Sequence, residues 1–172
     1  MEINKPLKPI YTIGHSNVPL ENVIYLLEKN DIQILVDVRS APYSKYVSQA
    51  NKENLENAVN AKGIKYLFMG DQLGGKPKDI EIQDEYGDID YSDLKEQDSF
   101  KEGIEQLLKG AREFTLCLIC SEEDPAKCHR GVLLSKEFYK RGVEIRHIRH
   151  NGQIESQDAV EGRIPAIQKH LF

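Results

Sequence analysis

The sequence lacks an apolar run long enough to cross a membrane and lacks any overall excess of positive charge. Its 172 residues carry a formal net charge of −5, which argues against a nucleic-acid-binding role for the chain as a whole. No positively charged segment followed by an apolar stretch opens the chain, so we expect a cytoplasmic protein with no membrane partner. No internal repeat or low-complexity tract is visible, and the length fits a single α/β domain over residues 1–172.

Cysteine is also scarce, since only Cys117, Cys120 and Cys128 are present. An odd number in a chain without an export signal argues against a disulfide framework and for reduced thiols. The spacing Cys117-x-x-Cys120, followed by Cys128-His129, has the inventory of a metal site. However, side chains three positions apart leave opposite faces of a strand, so we expect no metal ion here and assign Cys117 to the core.

Short apolar runs alternate with amphipathic segments, which predicts an α/β fold. We expect a mainly parallel sheet of about five strands with helices on both faces. The predicted strands cover residues 9–14, 32–38, 64–69, 113–120 and 143–148, with a short β-like segment at 153–154. The predicted helices cover residues 19 to about 30, 52–61, 99–110, 124–141 and 158–170.

A long acidic insertion loop, from about residue 70 to 95, interrupts this alternation. It is too long and too polar for an ordinary connector, which indicates a mobile insertion, a lid or a binding loop. Residues 79–105 contain eleven acidic residues and two lysines, whereas residues 125–150 contain seven Lys or Arg and two Glu. The basic stretch is either a solvated face, to which we assign His147 and His150, or a patch for an anionic partner.

Unusual polar turns follow four of the predicted strands. Because the carboxyl ends of parallel strands share one edge of a sheet, and ligands bind there in open α/β folds, we expect these turns to form one site. The residues at the turns are His15, Ser16 and Asn17; Asp37, Arg39 and Ser40; Gly74 and Gly75; and Cys120, Glu122, Cys128, His129 and Arg130.

The residue types suggest roles within this site. An ionised Asp37 inside an apolar strand needs a partner, and Arg39 is the nearest one along the same face. Cys128 is the better thiolate candidate, because it lies beside His129 and Arg130 near an expected helix start; packing against the core is its alternative. The candidate catalytic residues are therefore His15, Asp37, Cys120, Cys128 and His129, and the candidate binding residues are Ser16, Asn17, Arg39, Ser40, Gly74, Gly75, Glu122 and Arg130.

The same residues resemble a known family. The motifs are YTIGHS at 11–16, LVDVRS at 35–40 followed by Pro42, LGG at 73–75, CSEEDP at 120–125 and CHR at 128–130. On these motifs the chain resembles the proteins catalogued as domain of unknown function 488, from residue 11 to about 152. The resemblance implies a shared site at the same turns, while the family's name assigns no activity.

These observations favour an enzyme that binds an anionic, phosphate- or nucleotide-like substrate. In this hypothesis Arg39 and Arg130 hold the anion, Asp37 orients Arg39 or acts as a base, and His15 or His129 moves protons. One alternative is a non-catalytic module that binds nucleic acid or protein through its basic C-terminal third; another is a structural metal-binding domain. No cofactor and no oligomeric state follow from the sequence.

Overall fold

The computed structural model describes residues 5–76, 83, 85 and 89–164. Its strands are Ile10–Gly14 (β1), Ile34–Asp37 (β2), Lys65–Phe68 (β3), Leu116–Cys120 (β4), Ile145–Ile148 (β5) and Ile154–Ser156 (β6). The helices in this part of the chain are Leu20–Lys29 (α1), Lys52–Asn60 (α2), Gly70–Leu73 (α3), Ser92–Glu96 (α4), Asp98–Gly110 (α5), Ser135–Lys140 (α6) and Gln157–Arg163 (α7).

The strands form one sheet in the order β3-β2-β4-β1-β5-β6. All neighbouring pairs are parallel except β5 and β6, which run antiparallel. The predicted α/β class with a mainly parallel sheet is therefore confirmed. The short β-like segment predicted at 153–154 is part of a sixth, antiparallel edge strand.

Helices cover both faces of the sheet. Alternate strand residues point to opposite faces, so each buried strand contributes apolar side chains to a core on either side. In β4, Leu118 and Cys120 belong to the core beneath α5 and α6, whereas Cys117 and Ile119 belong to the core beneath α1 and α2. The inference that Cys117 and Cys120 leave opposite faces is thus correct, and Cys117 is a fully buried core residue.

The segment predicted as one helix from 124 to 141 is broken, and that prediction was wrong. A 3₁₀ turn at Pro125–Lys127 begins at Asp124, whose side chain accepts a hydrogen bond from the Ala126 N–H. Cys128 is then extended, with φ −139° and ψ 147°, before a wide π-helical turn, Arg130–Leu134, leads into α6. The 3₁₀ turn ends after three residues, where the Cys128 N–H bonds to the Pro125 carbonyl, and Cys128 is left outside helical geometry.

Two further predictions fall partly outside the described residues. The expected insertion loop contains α3 and α4, while its residues 77–82, 84 and 86–88 are not described. The expected last helix is seen as α7 over Gln157–Arg163, and residues 165–170 lie beyond the described range. None of the helices in the described ranges is long and apolar enough to span a membrane.

Candidate functional site

The carboxyl ends of β1, β2 and β4 lie side by side at one edge of the sheet. Gly14 is in register with Cys120, and Asp37 with Ile119. Gly14 lets the turn after β4 pack directly on the end of β1, because a Cβ at position 14 would lie 1.7 Å from the Glu122 carbonyl oxygen. The polar turns that follow these three strands are therefore held together by backbone packing.

Asp37 and Arg39 form a buried bidentate ion pair in this region. Arg39 Nε donates to Asp37 Oδ1 at 2.9 Å, and its NH2 group donates to Oδ2 at 2.8 Å. The Tyr66 hydroxyl also donates to Oδ2, and Arg39 NH1 donates to the Ala50 carbonyl. Asp37 is fully buried and Arg39 is 6% exposed. Burial alone would lower the pKa of Arg39, but the hydrogen bonds and charge of Asp37 raise it overall.

His15 is held against this pair in one tautomer. Its Nδ1 lies 2.7 Å from the Ser16 carbonyl, which can only accept, so Nδ1 carries the hydrogen. Nε2 then accepts from Arg39 NH1 at 3.2 Å. Burial lowers the pKa of His15, and the charge of Arg39 adds to this despite the opposing Ser16 hydrogen bond. The imidazole is therefore neutral at neutral pH, with its lone pair directed at Arg39.

Two thiols and a second imidazole form the thiol cluster, which we define as Cys120, Cys128 and His129. His129 Nδ1 lies 3.5 Å from Cys120 Sγ and 3.7 Å from Cys128 Sγ. The two cysteines are 7% and 6% exposed. The three ligand-type atoms lie within 4.8 Å of one another, so the cluster can hold a metal ion.

The thiols of the cluster differ in acidity. The hydrogen bond from Cys120 lowers the pKa of Cys128 against the opposing effect of burial. The same hydrogen bond and burial raise the pKa of Cys120, which keeps its proton. Sequence reasoning named Cys128 as the better thiolate; here the neighbouring thiol is the main cause, instead of a helix terminus.

Arg130 does not lie where the sequence suggested. Its side chain is fully buried, and its NH1 and NH2 groups donate to the carbonyls of Glu122 and Glu123, each at 3.0 Å. Its Nε has no acceptor among the described residues. Arg130 therefore fixes the turn after β4 and does not present its guanidinium to an anion. Glu122 takes part in this contact through its backbone carbonyl, and the residue as a whole is exposed.

The remaining predicted residues follow β1, β2 and β3, and one of them, Gly75, lies against the thiol cluster. The Ser40 hydroxyl accepts from the Lys76 N–H at 2.9 Å, and a Cβ at Gly74 would lie 2.2 Å from that hydroxyl. A Cβ at Gly75 would lie 2.7 Å from the His129 ring, so Gly75 makes room for the imidazole. Ser16 is half-buried with φ 48°, and Asn17 is exposed beside it.

Sequence reasoning missed two tyrosines. Tyr66 is in register with Leu35, two residues before Asp37 on the same strand face, so strand alternation could have placed its hydroxyl near Asp37. Tyr91 is 4% exposed; burial chiefly raises its pKa to about 12, and Cys128 and Cys120 add to this. Nothing in the acidic sequence around Tyr91 indicated that it interacts with these two cysteines.

Two arginines of the C-terminal third are paired with acidic side chains within the protein. Arg149 pairs with Glu123 and Glu155, each at 2.8 Å, and Arg163 pairs with Asp124 and Glu155. This pairing reduces the positive charge available to a nucleic acid.

The two histidines assigned to that face are not solvated. His147 is fully buried between Thr12 and Gln157, and half-buried His150 hydrogen-bonds to the Gly14 carbonyl. The prediction failed because β5 pairs with β1: this places His147 beside Thr12, and His150, just after β5, contacts the end of β1.

Comparisons with known proteins give one match. A family model described as "Domain of unknown function DUF488" matches residues 19–136. This range includes the thiol cluster and the Asp37–Arg39 pair, while His15, Ser16 and Asn17 lie just before it. A search of curated proteins and a search of solved structures each found no match.

Proposed function

The chain belongs to the family described as domain of unknown function DUF488, and we propose that it is an enzyme whose active site is the polar cluster at the carboxyl edge of the sheet. The observation that carries the proposal is the thiol cluster, where two sulfurs converge on one imidazole nitrogen. It lies at the strand ends, where open α/β folds bind their ligands.

The buried polar residues at the carboxyl edge of the sheet are not explained by their contribution to stability. A buried ion pair such as Asp37–Arg39 is often no better for stability than apolar side chains of similar volume. Burying a polar group without full compensation costs about 1–3 kcal/mol. The protein nevertheless places an ion pair, two histidines and two thiols together at one edge. Polar groups that are costly to bury and chemically reactive are typical of active sites.

In the proposed enzyme the thiol cluster is the reacting centre. Asp37 positions Arg39, and Arg39 in turn holds the imidazole of His15 in one orientation. His15 then acts as a proton-transfer group when a substrate displaces the Arg39 contact. The pair and His15 thus contribute geometry, while Cys120, Cys128 and His129 contribute the reactive atoms.

We further propose an anionic substrate, phosphate- or nucleotide-like. Exposed lysines lie next in sequence to the site residues, Lys76 after Gly75 and Lys127 before Cys128. These side chains can attract an anion to the edge of the site without being buried. Because the reacting centre needs reduced thiols, we place the enzyme in a reducing compartment such as the cytoplasm.

The test is turnover of a defined substrate panel, followed by mass spectrometry of the products. The panel contains phosphate monoesters, phosphodiesters and nucleoside di- and triphosphates. We expect Cys128→Ala and Cys120→Ala to abolish any turnover found with the wild type. Cys117→Ala is the matched control, because it removes a buried sulfur from the same strand on the opposite face. Turnover that survives both cluster substitutions would refute the proposed active site.

A further inference from the structure

The two nitrogen-to-sulfur distances in the thiol cluster match the edges of a metal coordination tetrahedron, and all three ligand-type atoms lie within 4.8 Å of one another. With Zn–S and Zn–N bonds of their usual lengths, a tetrahedral site separates a nitrogen ligand from a sulfur ligand by about 3.6 Å. In the cluster His129 Nδ1 lies 3.5 Å from one sulfur and 3.7 Å from the other. Both sulfurs therefore stand where ligands of one ion would stand.

Hydrogen bonding alone does not account for this symmetry. The Val38 carbonyl can only accept, so His129 Nε2, at 2.9 Å from it, carries the hydrogen. The single lone pair of Nδ1 then faces both sulfurs, and it can accept from one S–H at a time. The same carbonyl contact is the kind of second interaction that orients metal-binding histidines.

The backbone is built to bring these donors together. Cys120 is the last residue of β4, where pairing with β1 and β2 fixes its position. Cys128 is extended between the 3₁₀ turn and the π-helical turn, and this break turns its sulfur back toward the strand end. Gly75 leaves the space that the His129 ring occupies.

We propose that Cys120, Cys128 and His129 bind one Zn²⁺ ion, whose fourth position is open to water or substrate. Two thiolates and an imidazole select a thiolate-preferring metal over Mg²⁺ or Ca²⁺. The charge of a divalent ion cancels that of two thiolates, which suits a site that is nearly closed to solvent. Three protein ligands with an open position are the pattern of catalytic zinc sites, whereas structural sites have four.

This inference deepens the proposed function and rests on it for the role of the ion. A bound Zn²⁺ supplies an electrophilic centre for an anionic oxygen of the substrate or lowers the pKa of a water molecule. The structure assigns the cysteines to holding that ion, and it leaves His15 as the nearby group that can transfer a proton.

The first experiment measures metal binding by the full chain with Zn²⁺ and Co²⁺ alone. The protein is stripped with a chelator under reducing conditions, reloaded and dialysed, and its metal content is determined by elemental analysis. We expect about one ion per chain. The Co²⁺ form should show a thiolate-to-cobalt charge-transfer band with the intensity of two thiolates, and the strong visible bands of a tetrahedral ion.

Variants locate the site. Cys120→Ala, Cys128→Ala and His129→Ala should each weaken Zn²⁺ binding by more than roughly tenfold, the effect expected of altering even an outer contact. Cys117→Ala should bind as the wild type does. If a cluster variant fails to fold, protection of Cys120 and Cys128 from alkylation by Zn²⁺ in the wild type replaces it. Absence of the charge-transfer band, or equal alkylation with and without Zn²⁺, would overturn the proposal.

The outcome separates this proposal from the proposed function. A Co²⁺-treated protein without the charge-transfer band, with turnover lost in Cys128→Ala, would reject the metal site and retain the active site. A two-thiolate Co²⁺ spectrum, with turnover unchanged in the cluster variants, would retain the metal site and reject the active site.

Discussion

The buried His147 makes the protein's stability depend on pH in a way that one substitution can test. Its Nε2 lies 2.7 Å from Gln157 Oε1, and its Nδ1 lies 2.6 Å from the Thr12 hydroxyl. Gln157 uses its amide N–H groups on the Gly131 carbonyl and on Glu161, so Oε1 must accept from Nε2–H. The Thr12 hydroxyl then donates to Nδ1, and no position is left for a second proton.

The pKa of His147 falls from 6.5 to about 4, chiefly because the residue is buried. The charges of Arg130 and Arg149 contribute to this shift, whereas the hydrogen bond to Gln157 and the charge of Glu155 oppose it. The unfolded chain therefore binds more protons than the folded chain below about pH 6.5, and stability falls as the pH falls. This one residue removes about 2 kcal/mol of unfolding free energy between about pH 7 and pH 5, and about 3 kcal/mol by about pH 4.

The assay is urea denaturation followed by circular dichroism at several pH values in this range. His147→Gln keeps a donor for Gln157 and removes the titrating group, so the difference in unfolding free energy between about pH 7 and pH 5 should shrink by about 2 kcal/mol. His150→Gln is the control, since His150 lies outside the Thr12–Gln157 network. A variant at position 147 with the same pH dependence as the wild type would refute the reasoning.

Two other predictions concern the edge that carries the site. Asp37→Asn leaves the buried Arg39 without its counter-charge and should lower the unfolding free energy by about 3–5 kcal/mol. Tyr66→Phe removes one hydrogen bond to the same carboxylate and should lower it by about 1–2 kcal/mol. Equal effects in urea denaturation would contradict this. Gly14→Ala should lower the unfolding free energy by about 3 kcal/mol, because the added Cβ would overlap the Glu122 carbonyl. Gly162→Ala in α7 is the control: its Cβ meets no atom within 4 Å, and it should raise the unfolding free energy by about 0.5–1 kcal/mol. A stable Gly14→Ala protein would show that the two turns are not packed as described.

Much of the fold follows from local patterns in the sequence. Runs such as Leu116–Cys120 are apolar and short enough to be strands buried on both faces, and their alternation with amphipathic helices specifies a parallel sheet. The convergence of His15, Asp37 and Arg39 follows from the same geometry, since parallel strands end at one edge. Strand alternation also separates Cys117 from Cys120.

The details of the site depend on contacts that no local pattern encodes. The helical periodicity after Asp124 gives no sign of the extended Cys128. The break is accompanied by a tertiary contact, since Gly131 packs on the Pro125 carbonyl and a Cβ there would lie 2.0 Å from its oxygen. Arg130 looks like an anion ligand in sequence, yet its NH1 and NH2 groups donate to two carbonyls that only the turn brings near. Tyr91 reaches the cysteines through tertiary packing alone.

The antiparallel strand β6 has a consequence for how the chain avoids self-association. It is three residues long and covers the outer hydrogen-bonding groups of β5, which would otherwise present an open template to another molecule. A chain that ends before Ile154 would expose that template and should form oligomers by strand addition. The last strand therefore shortens the open edge on this side of the sheet to three residues, although it contributes no residue to the site.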